Sequence, residues 1–594
     1  MKTASKRHTR YCAALFMLLW ILLLSLPRLA CAADTVEIVI IGVEDELLEN
    51  VQAALPLPPG LIKDGVVNLP WLELFQTEIP QKVREALEPF GYYDAKADSI
   101  LQKPATDHYR IMVGVFPGAP VKVTDISVRV VGPGAQEAAL QRIARSFRLR
   151  KGDILDHSRY ERGKARLQSK AQELGYLDAT FPVHEILVSR AEASARIALE
   201  LDTGIQYRFG ETLFTGAPQY PQRFLQRYLD YKVGEIFSEK KLGQTQINLA
   251  SSDRFKGVLL TPEREEVHDS TMPVLAQLTP LPRKRLRPGI GYGTDSGFRG
   301  SLSYKDVNLF HLGHELNAEI KISELLQGIA VGYLAPSYRD VKSSMGLQAN
   351  FQREETDAYT NLLVSLQGTW NRTIQRGQLL TLYLKPQWED YTIGLQQSSS
   401  LLVLPGIRFT VRNFDDPIRP RKGYGFIVEA RGTHQYLGSS TGLLQLLAEG
   451  SAVIRLPWRL SLISRVTGGM TFQNEPLKDL PASLRFYAGG NRSVRGYGYQ
   501  SLGPKDITGK VIGGKHLLTA SVELERVLLR KWALAVFFDA GNAFDSLSNL
   551  RLYKGAGIGI RYFTPVGALK LDLARQIAVD NPSYRVHFSV GFEL

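Results

Sequence analysis

Few stretches of this chain carry residue types at spacings that could do chemistry, and most of them lack a required part. In GKVIGGKH (509–516), Gly509, Gly514 and Lys515 approach a phosphate-binding loop, but His516 stands where a Ser or Thr would hold magnesium. No strand–loop–helix pattern surrounds it. GIGYG (289–293) has dinucleotide-like glycine spacing without a following helix, and reads instead as a thin, weakly packed strand. His311 and His314 form an H-x-x-H with no third ligand nearby, so a surface pair is expected rather than zinc. No Ser/His/acid set can be assembled, and neither a cofactor nor a catalytic residue is expected. One stretch is different. RFYAGGNRSVRGYGYQSLGP (485–504) is a long loop rich in Gly and Tyr, with Arg492 and Arg495 near its centre. A guanidinium that leaves water needs carboxylate partners; the alternative is a solvated arginine on an outer loop.

What could position that loop follows from the whole chain. The 594 residues carry 72 Lys+Arg against 59 Asp+Glu, a formal charge of +13, with 44% apolar and 22% charged residues. Such a balance excludes a polytopic helical membrane protein but not a transmembrane barrel, whose two faces average out. Residues 1–32 combine Lys2, Lys6, Arg7, Arg10 and Arg28 with a short apolar core and Ala30-Cys31-Ala32, the pattern of a secretory signal peptide. Its removal would leave a charge of +8 and take away both cysteines, Cys12 and Cys31. The exported chain then has no disulfide framework and no thiolate chemistry. No later segment offers 18 consecutive apolar residues, and nucleic acid is not an expected partner of an exported protein.

The texture changes near residue 285. Before it, helical and strand patterns alternate: a helix over 159–174, strands over 123–131 and 195–202, and further helices over 222–229 and 238–250. GYYDA (91–95) recurs as GYLDA (175–179), and RKGDILDHSRY (150–160) recurs loosely as YKVGEIFSEKK (231–241). Two echoes at nearly one period imply three α+β repeats, at 33–118, 119–203 and 204–280. The third is degenerate at the G-Y position, reading SDRFKGV (252–258). Each G-Y turn is expected to close a helix and start a strand.

After residue 283, segments of alternating polarity are separated by turn residues. In 584–594, Tyr584, Val586, Phe588, Val590, Phe592 and Leu594 oppose Arg585, His587, Ser589, Gly591 and Glu593. Leu569, Leu571 and Leu573 oppose Lys570, Asp572 and Ala574. A polar face against an apolar one fits a barrel with lipid outside, and the length of 284–594 fits about 16 strands. Alternation puts Asp539 and Asp572 inward, making them candidate partners of Arg495. The basic run Arg283, Lys284, Arg285 and Arg287 fits either anionic headgroups at the rim or a solvated linker.

Val494, Arg495, Gly496 and Tyr497, with Gly489 and Gly490 before them, resemble the signature loop of the outer-membrane barrel-assembly superfamily, which includes BamA and the two-partner secretion transporters. FFDAGNAF (537–544), GIGIRYFTPVGALKLDLA (557–574) and DDPIRPRKGYG (415–425) resemble its barrel motifs. The three repeats are similar to those of the translocation and assembly module branch, the TamA type. The resemblance implies periplasmic POTRA repeats of βααββ order and a 16-stranded transmembrane β-barrel in the outer membrane of a Gram-negative bacterium. It implies assembly of β-barrel substrates such as autotransporters rather than catalysis, with a TamB-like partner anchored in the inner membrane. A pore exporting one dedicated partner protein is the alternative. The family's loop arginine, here Arg495, is expected to contact Asp539 in the lumen. The first and last strands, here 287–295 and 583–594, are expected to form a lateral gate. Gly289, Gly291 and Gly293 thin one side of it; Phe588, Phe592 and Leu594 lie on the other.

Overall fold

The computed structural model describes residues 34–416, 419–565 and 567–591. The expected signal peptide, and Phe592 and Leu594 of the expected gate, lie outside the described residues. The chain forms two compact units, the second holding most of the third repeat together with everything after it.

The first repeat runs β1 (Thr35–Ile41), α1 (Asp45–Ala54), a small hairpin β2 (Ile62–Lys63) and β3 (Val66–Val67), α2 (Leu69–Leu87), β4 (Lys96–Ala105) and β5 (His108–Phe116). The Asn68 side chain accepts from the Trp71 N–H at 3.3 Å, and Pro70 occupies the first turn, so α2 begins where sequence chemistry favours a start. Leu72, Phe75, Ile79 and Val83 then fall on one buried stripe. They pack on Ile111, Val113 and Val115, the alternate residues of β5. β1 lies parallel and β4 antiparallel to β5, in the order β1–β5–β4.

The second repeat has the same plan: β6 (Lys122–Val131), α3 (Ala138–Arg145), α4 (His157–Glu173), β7 (Thr180–Ser189) and β8 (Ser194–Asp202), in the order β6–β8–β7. The third comprises β9 (Arg208–Thr215), α5 (Gln222–Gln226), α6 (Glu239–Ala250), β10 (Phe255–Pro262) and β11 (Thr271–Pro280), in the order β10–β11–β9. All three follow βααββ.

The two sequence echoes turn out to be the two sides of one joint. Gly91 and Gly175 end their helices with φ of +85° and +87°, where a side chain is strained. Each also hands its carbonyl to the next repeat: Val121 N–H donates to Gly91 and Tyr207 N–H to Gly175, both at 2.8 Å. A Cβ would press on the Leu155 carbonyl oxygen at 2.5 Å from Gly91, and on Ile236 at 2.8 Å from Gly175. The G-Y motif of one repeat therefore meets the G-D/E-I motif of the next. In the third repeat the equivalent left-handed residue is Asp253, with φ +59°. It accepts from Arg285 at 2.7 Å, while Arg254 donates to the Gly313 carbonyl and to Glu315, both at 2.9 Å. The motif degenerates where its neighbour is no longer a repeat.

The rest is a closed barrel of sixteen strands with every neighbouring pair antiparallel. Its strands are β12 (Lys284–Gly293), β13 (Gly297–Leu309), β14 (His314–Ser323) and β15 (Leu326–Pro336). β16 (Ser343–Glu355), β17 (Tyr359–Thr373), β18 (Gln378–Ile393) and β19 (Gln396–Phe414) follow. Then come β20 (Gly423–Thr433), β21 (Leu443–Leu456), β22 (Leu460–Phe472) and β23 (His516–Leu529). β24 (Trp532–Phe544), β25 (Tyr553–Thr564), β26 (Gly567–Ile577) and β27 (Tyr584–Gly591) close it. Alternation sorts the faces. In β24, Leu534, Val536 and Phe538 point outward and are exposed, whereas Ala533, Ala535, Phe537 and Asp539 are buried inside. No helix among the described residues is long and apolar enough to cross a membrane.

Candidate functional site in the barrel lumen

Between β22 and β23 the chain spends residues 473–515 outside the ladder, well beyond the 485–504 stretch that composition marks. This loop folds into the lumen. Ala488, Val494, Tyr497 and Leu502 form a buried cluster against Leu517 and Tyr553. Leu480 and Leu484 pack on Leu402, Leu404 and Leu443 of the wall.

Arg495 is 2% exposed and sits at the centre of an ion cluster. Its Nε donates to Asp539 Oδ2 at 2.7 Å and its Nη2 to Asp539 Oδ1 at 3.0 Å, a two-point pairing. Its Nη1 donates to Glu523 at 2.8 Å and Asp572 at 3.0 Å, its Nη2 to Ser521 at 3.3 Å, and its backbone N–H to Asp539 at 3.0 Å. The Phe537 ring lies 3.3 Å from its guanidinium carbon. Arg561 bridges Glu523, at 2.8 Å, and Asp572.

Sheet register assembles this set from four strands. Ser521 lies opposite Asp539, Glu523 opposite Phe537, and Asp572 opposite Gly559. Gly555 and Gly559 make room: a Cβ at the first would collide with the Arg495 carbonyl, and at the second with Asp572. Burial opposes the Arg495 charge, but Asp539, Glu523 and Asp572 outweigh it, so the guanidinium is held above its ordinary pKa. The arrangement suits holding a loop in place rather than proton transfer. Asp539 and Asp572 were legible as inward carboxylates. Glu523, Ser521 and Arg561 join them unannounced by any charge partner in sequence, although the same alternation in β23 and β25 points them inward.

A second anchor lies elsewhere on the wall and has no counterpart among the expected residues. Glu389 of β18, fully buried, accepts from Ser483 Oγ at 2.7 Å and Ser483 N–H at 3.1 Å. Gln445 of β21 donates to the Leu484 carbonyl at 2.9 Å and to Thr471 at 2.7 Å. Arg485 donates to three backbone carbonyls, those of Leu480, Ile512 and Lys478, at 2.7, 2.9 and 3.1 Å. The loop is thus a strap fixed at two places.

Near the first anchor lies the seam. β12 pairs with β13 along its whole length, and β27 with β26 from Tyr584 to Gly591. Between β12 and β27, Gly293 opposite Ser589 is the single ladder pair among the described residues. Thr294 N–H donates to Phe588 at 3.0 Å, Phe588 N–H to Thr294 Oγ1 at 3.2 Å, and Arg299 to the Val590 carbonyl at 2.9 Å. The Tyr292 and Phe588 rings stand 6.3 Å apart. Gly289 and Gly291 leave the inner face of β12 bare, while Leu286, Ile290 and Tyr292 are exposed outside. The loop touches both sides of the seam: Gly496 N–H donates to His587 of β27 at 2.9 Å, and Asn491 N–H to Asp295, just after β12, at 2.6 Å.

The remaining motifs resolve as structure. GKVIGGKH belongs to the strap, with Lys515 donating to the Glu475 carbonyl at 2.9 Å. His314 bonds Tyr333 and Tyr338, and no metal-ligand cluster occurs among the described residues. Against the expectation that no G-x-S-x-G is present, Gly438-Ser439-Ser440-Thr441-Gly442 has nucleophile-elbow spacing. It joins two barrel strands, and Ser440 Oγ bonds the Leu401 carbonyl at 3.1 Å. Arg283 and Arg285 are engaged by Asp306 and Asp253 at 2.8 and 2.7 Å, so neither is a free headgroup ligand or part of a solvated linker.

Comparison with known proteins places these elements. An Omp85 superfamily domain matches residues 308–594, and a POTRA domain of the TamA domain 1 type matches 37–117. The outer membrane protein assembly factor BamA of Nitratidesulfovibrio vulgaris is 26% identical over 387 residues, 60% of this chain and 48% of that protein. The BamA of Neorickettsia risticii is 19% identical over 523 residues, 82% of this chain and 68% of that one. The chain therefore spans about half the length of the first of these relatives. The crystal structure of Haemophilus ducreyi BamA lacking POTRA domains 1–3 has the same fold, with a TM-score of 0.65 at 16% identity, covering 79% of this chain and 99% of that one. The chain thus carries an Omp85 superfamily domain over its barrel behind a TamA-type POTRA domain, and is an outer-membrane protein whose POTRA domains lie in the periplasm.

Proposed function

We propose that this protein assembles β-barrel proteins, autotransporters among them, into the outer membrane through a lateral gate between β12 and β27. The observation that carries the reading is the seam, with its single described ladder pair against continuous pairing on either side. Backbone donors and acceptors that have no ladder partner among the described residues template an incoming strand, so substrate strands would be added there by β-augmentation. Folding of the substrate barrel would supply the drive. In this reading Arg495, Asp539 and Asp572 hold the strap beside the gate. The repeats at 33–118, 119–203 and 204–280 receive substrate and a TamB-like partner anchored in the inner membrane, and 284–594 is the membrane domain. Export of one dedicated partner through the lumen is the weaker reading, because a strap anchored at two places lies inside the lumen that the partner would have to pass.

The test uses Gly293→Cys with Ser589→Cys in the chain expressed from residue 33 onward, which holds no other cysteine, reconstituted in lipid vesicles. Oxidation should stop assembly of an added unfolded barrel, and reduction should restore it. Assembly at the uncrosslinked rate would remove the gate from the mechanism.

A further inference from the structure

The helical faces of the first two repeats carry opposite charge on one scaffold. Residues 44–88 hold nine acids and three bases; residues 138–173 hold ten bases and four acids. The corresponding helical stretch of the third repeat, 222–250, is nearly balanced, with five bases and three acids. The βααββ fold accepts all three, so folding does not dictate the sign.

On the second repeat the bases are mostly unengaged. Arg159 pairs with Asp156 at 3.2 Å and Lys170 with Glu173 at 2.9 Å. Lys164 lies over the Phe181 ring at 5.4 Å. Arg142, Arg145, Arg148, Arg150, Arg162 and Arg166 are exposed and pair with no carboxylate among the described residues. Such a field costs self-repulsion and gives the fold nothing in return. It also has a shape. Between α3 and α4 runs a groove with Ala139 and Ile143 half-buried in its floor, Arg142 and Arg166 along its rims, and Ser169 and the Lys170–Glu173 ion pair completing the lining, which leaves the two arginines as its net charge.

We infer that this groove docks an acidic polypeptide segment, with carboxylates on the arginine rims and a small apolar side chain over Ile143. Charge complementarity selects an anion, and the apolar floor selects a peptide over a bare phosphate. A bilayer surface fits poorly, because among the described residues of 138–173 the one large hydrophobic that is exposed is Ile154, at 40%, too little to insert. Docking here deepens the reading in which the repeats receive a polypeptide; the disulfide test of the gate and the peptide test below can fail independently of each other.

The test measures fluorescence anisotropy of a short labelled peptide rich in Glu with a few Leu, added to the full-length protein in neutral detergent. Binding should weaken about tenfold on raising salt through the physiological range. R142E/R166E should lose at least about tenfold in affinity, R142K/R166K should retain most of it, and K232E, a reversal on the third repeat, should change little. Unchanged binding by R142E/R166E would overturn the proposal. So would equal loss in K232E, which would mean bulk charge alone. Binding of phosphatidylglycerol vesicles without binding of the peptide would overturn it as well.

Discussion

Replacing Arg495 by Ala removes five of the six hydrogen bonds that residue makes and leaves its backbone N–H on Asp539. Glu523 and Asp572 keep Arg561. Asp539, fully buried, keeps only that backbone donor among the described residues. Stranding one buried carboxylate costs about 3–5 kcal/mol; with two of the three still served, the lower end, about 3 kcal/mol, is expected. That is roughly two orders of magnitude in the docking equilibrium of the strap. Val494, 0% exposed, reports it. In the chain expressed from residue 33 onward, which holds no other cysteine, the thiol of Val494→Cys is labelled only when the strap lifts, so its rate follows the open fraction. Adding Arg495→Ala should speed labelling about a hundredfold. Arg495→Lys should fall between, because a single ammonium cannot serve three carboxylates in a plane. Leu484→Cys, at the second anchor, should be unaffected. Equal labelling of Val494→Cys with and without Arg495→Ala would refute the anchoring role.

Glu389→Gln should reverse the pattern, speeding labelling of Leu484→Cys about tenfold while leaving Val494→Cys unchanged, since the charged acceptor of both Ser483 donors, shared with Gln387, is lost. Gly175→Ala combines a left-handed backbone with pressure on Ile236 and should cost about 1–3 kcal/mol, read as a lower melting temperature and faster proteolysis between the second and third repeats. Arg254→Ala takes the donor from the Gly313 carbonyl and leaves Glu315 with Lys305 alone, at 3.3 Å, and should raise hydrogen exchange across 310–315; unchanged exchange would show that this contact does not hold the turn.

What could be read from sequence, and what could not, divides by the range of the interaction. Alternation is local, so the inward placing of Asp539, Asp572 and His587 was legible from β24, β26 and β27 alone. The repeat echoes were legible too, but their meaning was not. A motif pair says that residues recur; only packing says that GYLDA of one repeat and VGEIF of the next are a lock and its seat. The strap extends beyond its marked stretch because 473–484 has ordinary loop composition and draws its order from walls distant in sequence. Glu389 lies 94 residues from Ser483, and Gln445 lies 39 from Leu484. No spacing within a strand could have announced either, whereas the register that sets Ser521 against Asp539 follows once the barrel is closed.

The joints between repeats carry a consequence for the architecture as a modular series. Each presents a glycine carbonyl on one side and a backbone N–H with an Ile on the other, so the units are polar and interchangeable in the interior. A chain lacking 119–203 would bring Gly91 against Tyr207 and Ile236 with the same donor and acceptor in place. The series also has a terminator. Asp253 and Arg254, spent on Arg285, Gly313 and Glu315, offer no such socket, so no further repeat can be inserted between the third and the barrel on the same terms.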